Sequence, residues 1–180
     1  MTPNNTDAMD AQARRDALRI ALQEQVRVDI PITDWMQLEI TAWDSDSLRM
    51  FAPLAPNVND KGCAFGGSLT SVMTLACWSL VKLAMDQRGL VCDIYVQDSE
   101  VRYLAPVWED FSAEARLAYG NAFDEFFATL ESRGKARLSA HCEVRLADGS
   151  VAASLNARFV ALRRDAVVAA TDGAQSVSAG

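Results

Sequence analysis

The spacing of apolar residues divides the first half of the chain into one amphipathic helix, two short strands and one helix of a different character. From Asp10 to about Val28, Ala17, Leu18, Ala21, Leu22 and Val26 share a helical stripe, with Arg14, Arg15, Arg19 and Glu24 as polar companions. Pro31 ends that helix, because the residue before a proline is pushed toward extended geometry. Met36, Leu38 and Ile40 then alternate with Gln37, Glu39 and Thr41, which predicts a strand. Leu48 to Ala52 predicts a second one after the turn-like Asp44-Ser45-Asp46. A loop rich in proline and asparagine runs from Pro53 to Phe65. Gly66 and Gly67 open the most apolar helix of the chain, about Ser68 to Gln87. It is apolar nearly all round, so burial on most faces is expected, and Gly89 stands where a left-handed residue would stop it.

Strands dominate the second half. Val91 to Leu104 reads as a long β-segment ending before Pro106, and Phe111, Ala113, Ala115, Leu117 and Tyr119 alternate with polar positions. A short helix intervenes, capped by Asn121, striped by Phe123, Phe126, Phe127 and Leu130, and stopped by Gly134. Ala136 to Leu146 alternates strictly, Asp148-Gly149 is a hairpin turn, and Val151 to Phe159 completes the last strand. The expected organisation is a disordered segment over 1–9, one domain over 10–163 and a frayed tail over 164–180.

The fold class that follows is α+β. The long helix needs a cover, and only one curved antiparallel sheet is available to supply it. That is the hotdog arrangement, a sheet wrapped around a central helix, here with an extra N-terminal helix. The helix carries more apolar surface than one sheet covers, and the long third strand has a free edge. Both features predict a homodimer or a dimer of dimers.

Composition narrows the function. With 17 basic and 24 acidic residues the formal charge is −7, and no basic stripe with interleaved aromatics offsets it. Nucleic acid is therefore not an expected partner. The four cysteines, Cys63, Cys77, Cys92 and Cys142, form no C-x-x-C pair and read as reduced thiols. A single histidine, His141, gives no basis for a multi-histidine metal site, so no metal is expected. The run Leu69 to Met85, broken by Thr70, Ser71, Thr74, Ser79 and Lys82, reads as too short and too polar for a membrane span. A cytoplasmic protein is the expectation.

The segment Ala52-Pro53-Leu54-Ala55-Pro56-Asn57-Val58-Asn59-Asp60-Lys61-Gly62-Cys63-Ala64-Phe65-Gly66-Gly67-Ser68-Leu69 resembles the thioesterase family found at the C-terminus of YiiD-type proteins. That family's pattern is roughly A-P-L-x-x-N-x-N-x-x-G-x-x-F-G-G-S-L. Ile30-Pro31-Ile32 and Arg102-Tyr103-Leu104-Ala105-Pro106 fit it too, so the resemblance covers about residues 15 to 163. It implies a hotdog fold and hydrolysis of acyl thioesters, with coenzyme A or a carrier protein's phosphopantetheine as part of the substrate and no separate cofactor. A more distant similarity is to the phenylacetate-pathway acyl-CoA thioesterases, which carry Asn, six residues later His-Gly-Gly, and then an Asp on the helix. Asn59, Gly66 and Gly67 match that pattern, but Phe65 stands at the histidine and Thr74 at the aspartate, so that subfamily's usual acid is missing.

Thioester hydrolysis requires a cradle for the developing oxyanion and an activated water. A helix beginning at Gly66-Gly67 supplies unpaired N–H groups, a favourable dipole and close backbone approach. The N–H of Gly67, with that of Gly66, is the candidate cradle; the competing reading is that the glycines only permit tight packing. No carboxylate or histidine lies between Gly67 and Met85. Asp60 is the nearest acid, and Asn59 is placed to orient a water. Asn57 and Asn59 serve equally well as turn formers. Phe65, Ser68, Ser71 and Thr74 would face substrate; Thr70, and equally Ser71 and Thr74, can instead bond back to helix carbonyls. Met73 and Trp78 are expected in the core. Lys61, Arg102 and the basic run Arg133-Gly134-Lys135-Ala136-Arg137 are candidates for coenzyme A phosphates, against the alternative of a solvated helix end. Asp98 and Glu100 read as a solvated strand face or as contributors across a dimer interface. A non-hydrolytic acyl-thioester binding module is the alternative function. A hotdog dehydratase would need a catalytic histidine near the central helix, and no G-x-S-x-G elbow supports a serine hydrolase.

Overall fold

The computed structural model describes residues 5–118 and 122–164. The elements in order are α1 (Asn5–Asp29), α2 (Ile32–Trp35), β1 (Glu39–Trp43), β2 (Ser47–Ala52), a 3-10 turn (Ala55–Asn57), α3 (Gly66–Gln87), β3 (Cys92–Tyr103), β4 (Phe111–Leu117), α4 (Ala122–Arg133), β5 (Lys135–Arg145) and β6 (Val151–Arg163). The six strands form one antiparallel sheet in the order β1-β2-β4-β5-β6-β3. The sheet wraps α3, which packs against β2 to β6 and against α1. This is the expected hotdog arrangement.

The wrapping depends on what each strand turns inward. Ala113, Ala115, Ala140, Ala153 and Ala157 are buried on the face toward α3. Alternate positions carry this small side chain, so the helix backbone can approach a concave sheet closely. Leu80, Leu83, Met73 and Met85 of α3 are fully buried and fill the space the alanines leave. Cys77 and Cys142 meet in this core, and burial pushes the Cys142 thiol well above its usual range. None of the four cysteines is in a disulfide. Phe126, Phe127 and Leu130 of α4 close a second cluster over Val81, Met85 and Leu138. By length and composition α3 does pass as a bilayer-crossing helix, at a mean hydropathy of 1.4, so the sequence underrated it. Its apolar faces are satisfied inside the fold instead, since 61% of that window is buried.

Three local departures have physical causes. The periodicity of α1 suggested Ala17 and Ala21 on the inward stripe, yet both are exposed. The helix is turned so that Arg19 and Gln23 face β1. Arg19 donates to the Ile40 carbonyl at 2.6 Å; the Gln23 carboxamide donates to Leu38 O at 2.9 Å and accepts from Ile40 N at 2.7 Å. These side chains close the outer edge of β1. Met36 and Leu38 are buried as the alternation predicts, but they precede β1. Pro31 starts a helical turn rather than a strand, and Gln37 reverses the chain at φ 54°. Finally, α1 begins at Asn5, within the segment 1–9 expected to lack structure; Ala8, Met9, Ala11, Gln12 and Ala13 are strong helix formers. Tyr119, the cap Asn121, residues 1–4 and the tail after Arg164 lie outside the described residues.

Left-handed glycines stop the helices where expected, at Gly89 (φ 68°) and Gly134 (φ 66°). One edge of the sheet is thus sealed by α1, while β3, which among the described residues has only β6 as a neighbouring strand, forms the other edge. Replacing Gln23 by Ala leaves Leu38 O and Ile40 N without partners and lowers unfolding free energy by about 1–3 kcal/mol. Urea denaturation of Gln23→Ala against the parent protein measures it.

Candidate functional site

The loop from Pro53 to Phe65 is built to deliver the glycine doublet. Asn57 is buried and its Nδ2 donates to Met36 O at 2.9 Å and Pro53 O at 2.8 Å. Leu54 N donates to the Asp110 carboxylate at 2.8 Å, Ala64 N to Val107 O at 2.8 Å, and Phe65 N to Asn57 O at 2.7 Å. Asn59 organises a tight turn. Its Oδ1 accepts from Lys61 N at 2.8 Å, and its Nδ2 donates to Cys63 Sγ at 3.2 Å. Asn59 therefore spends its described hydrogen bonds within the loop, while Asn57 also ties the loop to Met36. Asp60 and Lys61 are exposed and paired with each other at 2.9 Å.

Phe65 is the extended N-cap of α3, and among the described residues no side-chain capping hydrogen bond is made. Leu69 N bonds to Phe65 O at 3.0 Å, so the N–H groups of Gly66, Gly67 and Ser68 are the first-turn donors that α-helical bonding leaves over. No acidic side chain occupies this first turn. The end is open: Gly66, Gly67 and Ser68 are half-buried, and Phe65 is 54% exposed. Gly67 is crowded by its neighbour, whereas a Cβ at Gly66 would make only ordinary van der Waals contact. A Cβ on Gly67 would lie 2.2 Å from the Phe65 ring, and one on Gly66 would lie 3.5 Å from the Tyr103 ring. Tyr103, Trp108 and Phe65 thus form an exposed aromatic rim, with Trp108 standing over Gly62. The rim was not legible as a site in the sequence; only the match of Arg102-Tyr103-Leu104-Ala105-Pro106 pointed toward it.

The hydroxyls of the first two turns bond backward. Thr70 Oγ1 donates to Gly66 O at 3.0 Å and Ser71 Oγ to Gly67 O at 2.9 Å. Ser71 and Thr74 belong with Gly67, Trp78 and Lys82 to a half-exposed stripe of α3, flanked by the half-exposed Thr70 and Leu75. Trp78 packs against the core as expected, half-buried on this stripe, and donates from Nε1 to Ile94 O of β3 at 3.3 Å. The stripe therefore runs from the glycine doublet along the open edge of the sheet.

The basic candidates are not gathered there. Tyr103 pairs with Ala153 and Lys135 with Leu162, nine residues apart along β6 and so separated by roughly 30 Å. Arg133 and Lys135 are at the far end of the sheet from Gly67 in the same chain. Arg102 pairs with Glu100 at 3.0 Å, and Asp98 pairs with Arg158, both on the outer face. His141 is also on that face, between Asn156 Oδ1 at 2.8 Å and Glu143 at 3.1 Å. A cavity of about 240 Å³ lined by Trp43, Arg88 and Phe127 lies at the opposite end of α3.

Residues 19–163 match a protein family described as "Putative thioesterase (yiiD_Cterm)". Among solved structures, the chain is similar to a protein of unknown function from Chlorobaculum tepidum, at 30% identity over 83% of this chain and 97% of that one, with a TM-score of 0.78. It is similar also to a putative thioesterase from Shewanella oneidensis, at 29% identity, 82% and 99% coverage and a TM-score of 0.72. A probable thioesterase from Pseudomonas aeruginosa shares the fold at 19% identity, 79% and 93% coverage and a TM-score of 0.66.

Asn57→Ala strands the carbonyls of Met36 and Pro53 and costs about 1–3 kcal/mol of stability. Thermal unfolding should show the loss, and an unchanged midpoint would remove Asn57 from its bracing role.

Proposed function

We propose that this chain, which belongs to the thioesterase family matched over residues 19–163, hydrolyses acyl thioesters of coenzyme A or of a carrier protein's phosphopantetheine at the glycine end of α3. The observation that carries the reading is the uncapped, partly open first turn of a buried helix, reached by a rim of exposed aromatics. The thioester carbonyl would accept from Gly67 N–H, with Gly66 or Ser68 as the second donor. Attack by water on the carbonyl carbon places negative charge on that oxygen, where aligned amides and the helix dipole stabilise it. The C–S bond then breaks, the thiol leaves and the carboxylic acid is released. The acyl chain would lie along Ser71, Thr74 and Trp78.

A chain lying on this stripe would be walled by α3 on one side only, and β3 beside it exposes Tyr95, Val96 and Tyr103, with Leu104 just after it. A second copy of the chain paired along β3 would complete the wall and satisfy the free strand edge. A two-fold antiparallel pairing would also bring the partner's β3 start, and the Lys135 end of its sheet, toward this chain's Tyr103. The coenzyme phosphates would then meet basic side chains from across the interface. The second reading, a module that binds acyl thioesters without cleaving them, is favoured by the lack of any carboxylate or histidine from Gly67 to Met85.

A free-thiol assay across saturated acyl-CoA thioesters from acetyl to palmitoyl tests the reaction. Gly67→Pro removes one N–H at a first-turn position where proline is tolerated, and Phe65→Ala makes room for the ring. The double variant should turn over about 10²–10³-fold more slowly than Phe65→Ala alone. Calorimetric binding of acyl-CoA with no turnover by the parent protein would select the binding module.

Dimerisation has its own test. Val96→Lys places a charge on the open strand and should convert a sedimenting dimer to monomer. A parent protein that sediments as a monomer contradicts the β3 pairing.

A further inference from the structure

The carbonyl of Gly66 and the N–H of Gly67 belong to one planar peptide and point in opposite directions. That peptide is flanked by two residues without Cβ atoms, so its rotation is the least restrained of any in the helix. Yet its carbonyl is the most heavily bonded group at this end of the fold. It is the second helical acceptor, for Thr70 N, after Phe65 O has taken Leu69 N. Thr70 Oγ1 reaches it at 3.0 Å and Tyr103 Oη at 3.1 Å, and the two hydroxyls stand 2.5 Å apart. Two protons serve three contacts. Thr70 can donate to Gly66 O while Tyr103 donates to either the Thr70 hydroxyl or the same carbonyl.

Tyr103 is 55% exposed at the end of an edge strand, where water would satisfy its hydroxyl without strain. The Gly66 carbonyl already has its helical partner, so the fold does not require the extra bond. We propose that Tyr103 is a positioning residue: it pins and polarises the Gly66–Gly67 peptide so that the Gly67 N–H is held outward as a strengthened donor. Ser71 Oγ does the same for the next peptide, through Gly67 O at 2.9 Å, and holds the Ser68 N–H. Hydrogen bonds accepted by one side of a peptide strengthen the donor on the other. The inference rests on the reading that Gly67 N–H receives the thioester oxygen.

Tyr103→Phe keeps the ring that lies against Gly66 and removes only the hydroxyl. With the acyl-CoA of the acetyl-to-palmitoyl series that the parent protein cleaves fastest, kcat should fall about threefold to tenfold while KM stays within about twofold. The melting temperature and sedimentation coefficient should be unchanged. In ¹⁵N–¹H spectra of the full chain the Gly67 amide proton should move upfield, and Thr70→Val should move it in the same direction. An unmoved Gly67 resonance overturns the proposal, as does a loss of rate that comes with a lower melting temperature, a broken dimer or a raised KM. If the parent protein cleaves no thioester, the hydrolase reading is what fails. The Gly67 resonance then decides by itself whether Tyr103 holds this peptide.

Discussion

A helix that is apolar on nearly every face has to be enclosed, and enclosing α3 determines most of what else this chain does. The enclosure needs a concave sheet, and the concave sheet needs small residues on its inner face; Ala113, Ala115, Ala140, Ala153 and Ala157 supply them. Enclosing the sides of a helix leaves its ends as the only places where backbone groups reach the surface. At one end Gly89 turns the chain away and α4 packs over the last turns. At the other, the glycine doublet leaves amides with neither a capping side chain nor a neutralising acid. The candidate chemistry is a by-product of how the core was built.

The two edges of the sheet show the same economy. At β1 the carboxamide of Gln23 imitates a paired strand by giving one bond and taking one, and Arg19 adds a third. At β3 none of the described residues does this, although β3 is the longer edge. The half-exposed stripe of α3 borders the open edge and not the sealed one. On the proposed reading, the groove beside this strand is half of a structure, and a second copy of the same chain would supply the other half. The distance between Gly67 and the basic residues Arg133 and Lys135 makes the same point, because a two-fold axis across β3 would reverse the direction of the sheet.

Much of the fold was legible in the residues, for reasons of period. Alternation over Ala136 to Leu146 and the all-round apolarity of α3 reflect one-sided and many-sided burial, which leave a direct trace in sequence. Glycines at 89, 134 and 149 are legible because positive φ is costly for other residues. The rotation of α1 was not legible, since Arg19 and Gln23 face inward to serve a strand edge and not an apolar core. The helical turn α2 lies just before the alternation of Met36, Leu38 and Ile40, whose first half is real in burial but not in backbone geometry. At the site, Gly66 and Gly67 announced themselves. Tyr103 did not, because its partner is 37 residues away and the two meet only once β3 returns antiparallel along the sheet.

The account stands on the claim that the first amides of α3 receive an acyl carbonyl. A crystal structure with a coenzyme A analogue in which a methylene inserted between sulfur and carbonyl replaces the thioester by a ketone addresses it directly. The ketone oxygen should lie about 2.7–3.1 Å from Gly67 N, with the alkyl chain along Ser71 and Thr74. A ketone bound elsewhere, with Gly67 N–H left facing solvent or protein, contradicts the claim.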